Sequence, residues 1–225
     1  MGKVIIVAGD TGTGKSTSIK TLDPKETFII NVLNKPLPFK GSSKIYSEEN
    51  KNMKAEASWG KVKDGIEALA KKPEIKNIII DDIGFIMTEE LFARSKETGY
   101  NKFTDIGVHM QQILNMAKSQ RDDLAVILMF HIDDDISDKI KVGKKIKTIG
   151  AMLEDKYNPL AIVSVALFTD VSFDKEGKAE YSFITNRTNI NNLLIPAKTP
   201  DGMFETLRVP NDLKLVIDKM NEYYN

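Results

Sequence analysis

The chain has 225 residues, 41% of them hydrophobic and 28% charged, which suits one soluble globular domain with a core of ordinary size. Lysine plus arginine and aspartate plus glutamate each total 32, so the formal net charge is zero and no global field draws the protein to nucleic acid or anionic lipid. With no cysteine, disulfides, thiolate catalysis and cysteine-ligated metals are excluded, and zinc would have only His109 and His131 plus carboxylates.

Short β-branched runs alternate with longer amphipathic stretches, which predicts an α/β fold with a mostly parallel central sheet flanked by helices. In chain order the expected strands are Lys3–Ala8, Thr27–Asn31, Ile75–Ile80, Leu124–Phe130 and Leu160–Thr169. The expected helices are Lys15–Thr21, Ser58–Lys71, Thr88–Lys96 and Thr104–Ser119, the last with an apolar stripe of Ile106, Met110, Ile113, Leu114 and Ala117. The polar segment from Pro36 to Ala57 reads as a surface excursion with a short strand near Ile45-Tyr46.

After the fifth strand, Asp174-Lys175-Glu176-Gly177 is a turn, and Tyr181, Phe183 and Thr185 alternate as an antiparallel strand expected to pair with Leu193–Ile195. Pro210-Asn211-Asp212 opens a final helix with Leu213, Val216, Ile217 and Met220 on one face. One domain over 1–225 is expected, with a core to 171 and a hairpin and helix over 172–225. The longest uninterrupted apolar run, Leu124 to Phe130, falls far short of the roughly 20 residues of a spanning helix, and the first apolar run is too short for a signal peptide. A cytoplasmic protein is expected.

Gly9-Asp10-Thr11-Gly12-Thr13-Gly14-Lys15-Ser16 is a complete phosphate-loop pattern, and it follows an apolar strand and precedes a helix-compatible segment. Its glycines let the backbone turn its amides inward around an anion, with Thr17 continuing the cradle. Lys15 is expected on the β and γ phosphates and Ser16 on magnesium, so the motif implies ATP or a related nucleotide with Mg²⁺. Asn77-Ile78-Ile79-Ile80-Asp81-Asp82 then places two aspartates at a strand's carboxyl end, where open α/β sheets gather ligands. Asp81 is the expected metal ligand and Asp82 the candidate general base. His131, expected at the tip of a neighbouring strand, is suited to sense the γ phosphate.

Between Lys139 and Gly150 five lysines, Lys139, Lys141, Lys144, Lys145 and Lys147, stand without an acid, directly after Asp133-Asp134-Asp135. Read as a flexible loop, they could track a phosphate backbone, with Tyr100, Lys102 and Phe103 as a second basic and aromatic loop for stacking bases. The bland alternative is a solvated lysine run paired with those aspartates.

The chain resembles P-loop ATPases with a RecA-like core, and among them the short phage and prophage nucleotide-binding proteins allied to single-strand-annealing recombinases. The resemblance rests on Gly9–Thr17 and Ile78–Asp82, and more weakly on Gly99–Phe103, Arg121–His131, Lys147–Gly150, Ala197–Phe204 and Pro210–Leu213. It implies a ring or filament acting on single-stranded DNA in phage recombination or replication, with single-strand-binding or other replication proteins as partners and no membrane. It also implies a basic residue reaching the neighbouring subunit's nucleotide, for which Lys198 and Arg187 fit by position. The sequence departs from RecA-like proteins at Ile30–Lys35, where the usual catalytic glutamate is missing. That leaves the attacking water to Asp82 or makes hydrolysis slow. Two other readings stay open: a non-hydrolysing, nucleotide-switched loader or scaffold, and a small-molecule or nucleoside kinase.

Overall fold

The computed structural model describes residues 2–150, 152–153 and 157–224. Its strands are β1 (Lys3–Gly9), β2 (Thr27–Asn31), β3 (Met53–Ala55), β4 (Asn77–Asp81), β5 (Ala125–Ser137), β6 (Ile140–Ile146), β7 (Val165–Phe173), β8 (Ala179–Ile184), β9 (Thr188–Ile190), β10 (Leu193–Ile195) and β11 (Arg208–Pro210). The helices are α1 (Ser42–Ile45), α2 (Trp59–Ala70), α3 (Gly84–Ala93), α4 (Asn101–Lys118) and α5 (Leu213–Tyr224).

The main sheet runs in the order β11-β8-β7-β1-β5-β4-β2-β3. Pairings among β7, β1, β5, β4, β2 and β3 are parallel, and β8 and β11 add an antiparallel edge. Side chains alternate between two buried layers, as strands covered on both faces require. Val4, Ile6, Ile78, Ile80, Val126 and Leu128 pack with α2, α3 and α4. Ile5, Val7, Ile79, Ile127 and Met129 pack with Ile19, Leu22 and the Leu213, Val216 and Met220 face of α5. β5 stands between the phosphate-loop strand β1 and the acidic strand β4, so three strand ends converge on one edge.

Several expectations are corrected. The segment expected to be helical over Lys15–Thr21 is a 3₁₀ helix at Ser16–Thr21. There Ser18 Oγ donates to the Lys15 carbonyl and Thr21 Oγ1 to the Ser18 carbonyl, and such side-chain bonds compete with the α-helical ladder. Ile45 closes the short helix α1 rather than forming a strand, and Tyr46 drops into the core with its hydroxyl on the Leu22 carbonyl. α3 starts at Gly84, four residues before the expected Thr88, directly after the acidic pair. β7 starts only at Val165, because Asn158 caps a short turn at Pro159–Ile162.

The largest corrections concern β5 and its partners. β5 does not stop at Phe130 but runs to Ser137, so His131 lies within a strand. Lys139–Gly150 is not a flexible loop: its first half is β6, antiparallel to β5, with Asp134 opposite Lys144 and Asp133 opposite Lys145. Leu193–Ile195 joins this ribbon through β6 and β9, while Tyr181 and Phe183 belong to β8 between β7 and β11.

Candidate functional site

The site is built at the carboxyl ends of β1, β5 and β4. The register sets Gly9 beside His131 on one side, and on the other Ala8 pairs with Phe168, which brings the next residue of β7, Thr169, beside Gly9. A Cβ on Gly9 would lie 1.8 Å from Thr169 Oγ1 and 2.8 Å from Thr13 Oγ1, so only glycine fits. Thr13 Oγ1 and Thr169 Oγ1 are 2.5 Å apart, and Thr13 Oγ1 also donates to the Asp10 carbonyl at 2.7 Å. These bonds fix the rise of the loop from the strand. Gly9→Ala is expected to lower thermal stability by about 1–3 kcal/mol, and adding Thr169→Ala to recover part of it, measured by calorimetry.

Gly12 and Gly14 have φ of 81° and 98°, the left-handed region that favours glycine. With those turns in place, the amides of Gly12, Gly14 and Lys15 have no acceptor among the described residues. Unpaired amides converging on one concavity form an anion cradle. Lys15 is buried, and its ammonium donates to the Gly9 and Asp10 carbonyls, at 2.9 Å each. Burial lowers its pKa from the ordinary value, with the charges of Asp82 and Asp81 opposing.

Ser16 Oγ donates to Asp81 Oδ1 at 2.8 Å, joining the phosphate loop to the acidic strand end. Asp81 Oδ2 is buried with no hydrogen-bond partner among the described residues. Burial pushes the Asp81 carboxyl up to about 6, the charge of Asp82 adds to the rise, and the Ser16 bond opposes it. A hydroxyl and a carboxylate with one free, desolvated oxygen are the donors a hard, oxygen-seeking divalent cation takes. The chemistry of Ser16 and Asp81 therefore fits magnesium.

Asp82 is also buried and sits at φ 60°, a conformation aspartate tolerates better than most residues. That turn points its carboxylate at His131, whose Nε2 lies 2.9 Å from Oδ1, and at Lys35, whose ammonium contacts Oδ2. Burial alone would raise the Asp82 pKa, but the bonds from His131 and Lys35 outweigh it and hold it below the usual carboxylate range. The Phe85 ring meets His131 edge-on, with centroids 5.6 Å apart. The two aspartates thus stand in different environments: one has a free oxygen beside the loop, and the other is held between His131 and Lys35.

Lys35 was not singled out from the sequence. It reaches Asp82 because the Asn31 side chain grips its backbone: Asn31 Nδ2 donates to the Lys35 carbonyl at 2.7 Å, and the Lys35 amide donates to Asn31 Oδ1 at 3.4 Å. An asparagine closing a strand four residues before a lysine was the available signal, and it is a weak one. Thr169 was missed for a simpler reason, since nothing local ties a β7 threonine to residue 9.

The other expected site residues lie apart. Lys144 reaches over from β6 to Asp10 Oδ2 at 3.3 Å while bonding Asp134 Oδ1 at 2.9 Å, so it leans on the phosphate loop. Lys141 pairs with Asp134 at 2.6 Å and Lys147 with Asp133 at 3.7 Å. Lys139 is exposed at the ribbon's turn. Tyr100 is 86% exposed at the start of α4, and Lys102 lies over the Phe103 ring at 5.7 Å. Phe103 lies against Gly150, which brings this loop beside the segment following the ribbon. Lys198 pairs through its backbone with Ala166 of β7, and Arg187 is exposed between β8 and β9; neither bonds the phosphate loop. His109 has a structural part, stacked on Trp59 at 3.7 Å and bonded to Glu90 at 2.8 Å.

A parallel sheet with a free-amide loop after its first strand, a lysine inside the loop and a serine–aspartate contact across two strand ends defines a P-loop ATPase-type domain. The chain belongs to the AAA domain family, whose model matches residues 1–189. That span holds every element named above as far as Asn189, and so the whole phosphate-loop site. Comparison with curated proteins finds no match.

Proposed function

We propose that this protein is a magnesium-dependent ATPase that works as an oligomer on single-stranded DNA, in recombination or replication. The observation that carries the ATPase reading is the 2.8 Å contact of Ser16 Oγ with Asp81, beside a buried carboxylate oxygen that no protein group satisfies. Magnesium, when bound there, supplies charge stabilisation for the transferring phosphoryl group and orients its oxygens.

The chain's own residues do the rest. Lys15 exchanges the Gly9 and Asp10 carbonyls for phosphate oxygens, and the loop amides enclose the remaining charge. His131, next to Gly9 in register, stands where a γ phosphate or its attacking water meets the strand ends. Asp82, 2.9 Å from its Nε2, orients that imidazole. Lys198 and Arg187, lacking a role within the chain's own site, supply the cation in trans.

The nucleic-acid part of the reading is supported by the exposed Tyr100, by Lys139, and by the proximity of the Phe103 loop to Gly150. The ion pairs of Lys141, Lys144 and Lys147 with Asp133 and Asp134 weigh against a purely electrostatic grip. Phosphate release should require magnesium, stop in chelator, fall about 10²-fold in His131→Ala, and rise with single-stranded DNA. Magnesium-independent release would reject the ATPase reading, and no response to DNA at low salt would reject its nucleic-acid part.

One observation favours a second reading, a nucleotide-switched protein with little turnover. Both Asp82 oxygens are engaged, which leaves no free carboxylate beside the metal ligand to take a proton from water. Tight binding of ATP with less than one phosphate released per chain over hours would select it.

A further inference from the structure

The flank of the phosphate loop away from Asp81 holds a second set of groups that the phosphate chemistry does not use. β11 pairs with β8, Pro210 opposite Ser182, and the ladder continues as the Asn211 amide donates to the Tyr181 carbonyl at 3.3 Å. The two side chains thus stand together, and both face Gly14. A Cβ on Gly14 would lie 2.8 Å from Tyr181 Cδ1 and 3.3 Å from Asn211 Nδ2. Gly14 is therefore required twice, for its positive φ and for the approach of this pair.

Asn211 is only 9% exposed, and neither its Nδ2 nor its Oδ1 has a hydrogen-bond partner among the described residues. Leaving a buried amide with an unmade donor and an unmade acceptor is costly, and such groups are rare in folded proteins. Tyr181, its neighbour against Gly14, is 38% exposed. A partly exposed ring beside an unsatisfied amide is a site whose partner is planar and presents a donor and an acceptor side by side.

A nucleotide lying in the loop would reach this place. Its γ end faces the serine–aspartate pair on the β4 side, so its nucleoside end leaves toward β7 and β8. We propose that Tyr181 and Asn211 form the nucleobase subsite, with Tyr181 turning outward to stack on adenine. Asn211 Oδ1 then accepts from the N6 amino group, and Nδ2 donates to the adjacent ring nitrogen. This rests on the nucleotide reading above and adds to it the groups that recognise the base. An asparagine amide meets adenine's neighbouring donor and acceptor with two bonds, whereas a carboxylate offers only acceptors, which suit the N1 and N2 donors of guanine.

Titration calorimetry with ADP, GDP and inorganic tripolyphosphate tests the assignment on the full chain. Asn211→Asp should move the ADP to GDP affinity ratio toward guanine by about tenfold or more, and Asn211→Leu should weaken ADP by about tenfold. Tyr181→Leu, at an exposed strand position, should weaken ADP and GDP alike by about tenfold through lost stacking. Tripolyphosphate, which has no base, reports on the loop in each variant. An unchanged ADP to GDP ratio in Asn211→Asp, with ADP still bound at wild-type strength by Tyr181→Leu, would overturn the subsite and leave the phosphate site standing. A wild-type chain that binds neither tripolyphosphate nor ADP would overturn the nucleotide reading, and this assignment with it.

Discussion

Lys15→Ala is expected to lower the affinity for Mg·ATP by at least about a hundredfold and turnover by about 10²–10³. The reason is geometric as well as electrostatic. The Lys15 ammonium is buried and bonded only to the Gly9 and Asp10 carbonyls, so it is already desolvated and placed inside the loop. Moving from two neutral acceptors to phosphate oxygens costs little further desolvation and gains two charge-assisted bonds. Burial also lowers its pKa, which a phosphate's charge would restore, so binding should favour the protonated form. Equilibrium binding of a fluorescent ATP analogue, with thermal unfolding as a check on folding, measures the loss. A change of less than threefold would remove Lys15 from the phosphate site.

Asp81→Asn is expected to have two large effects of opposite kind. Turnover should fall about 10²–10³-fold, because the asparagine keeps an acceptor for Ser16 but loses the charge that holds a divalent ion. Stability without metal should rise. The Asp81 carboxyl titrates at about 6 in the folded chain, raised above its ordinary 3.8. A raised pKa contributes stability that is fully present below the unfolded value and lost as the pH rises through the folded one. At pH 7.5 the wild-type chain therefore carries a buried charge at a cost of up to about 3 kcal/mol, which the variant avoids. For a domain of this size, the melting temperature should increase by about 3–8 °C. The gain should shrink as the pH falls through about 6 and disappear only below the unfolded value of 3.8, where Asp81 is protonated in both states. Calorimetry of both chains from about pH 3 to pH 8 tests this. A variant less stable than wild type at pH 7.5 in chelator would contradict the account of the orphaned oxygen.

The sequence carried the phosphate loop and the acidic strand end in full, because each is a short run whose chemistry depends on local spacing. Gly9 to Ser16 and Asp81 meet as expected, since a parallel sheet brings strand ends to one edge. Lys35, Thr169, Tyr181 and Asn211 were not legible as site residues. Each is placed by tertiary pairing, Lys35 beside Asp82 and the other three beside the loop: an asparagine clamp after β2, the β1–β7 register, and the β8–β11 ladder. Their local sequences read as ordinary turn and strand.

The ribbon shows the opposite failure. Segregated charge in Asp133–Asp135 and Lys139–Lys147 suggested a mobile basic loop, yet opposite charges on facing strands are what stabilise an antiparallel pair. The alternative of lysines paired with those aspartates is the one the structure contains for Lys141, Lys144 and Lys147. The segment after the phosphate loop was misread for a related reason. Its Ser18 and Thr21 suit a helix by position, but their hydroxyls bond the preceding carbonyls and tighten the turn.

The most direct test of the central claim is a crystal structure of the full chain with Mg²⁺ and a nonhydrolysable ATP analogue. The account predicts β and γ phosphates among the amides of Gly12, Gly14 and Lys15, with the Lys15 ammonium moved from the Gly9 and Asp10 carbonyls onto phosphate oxygens. It also predicts the cation beside Ser16 Oγ, on the Asp81 side. Phosphates bound elsewhere, with Lys15 still on those two carbonyls, would contradict it.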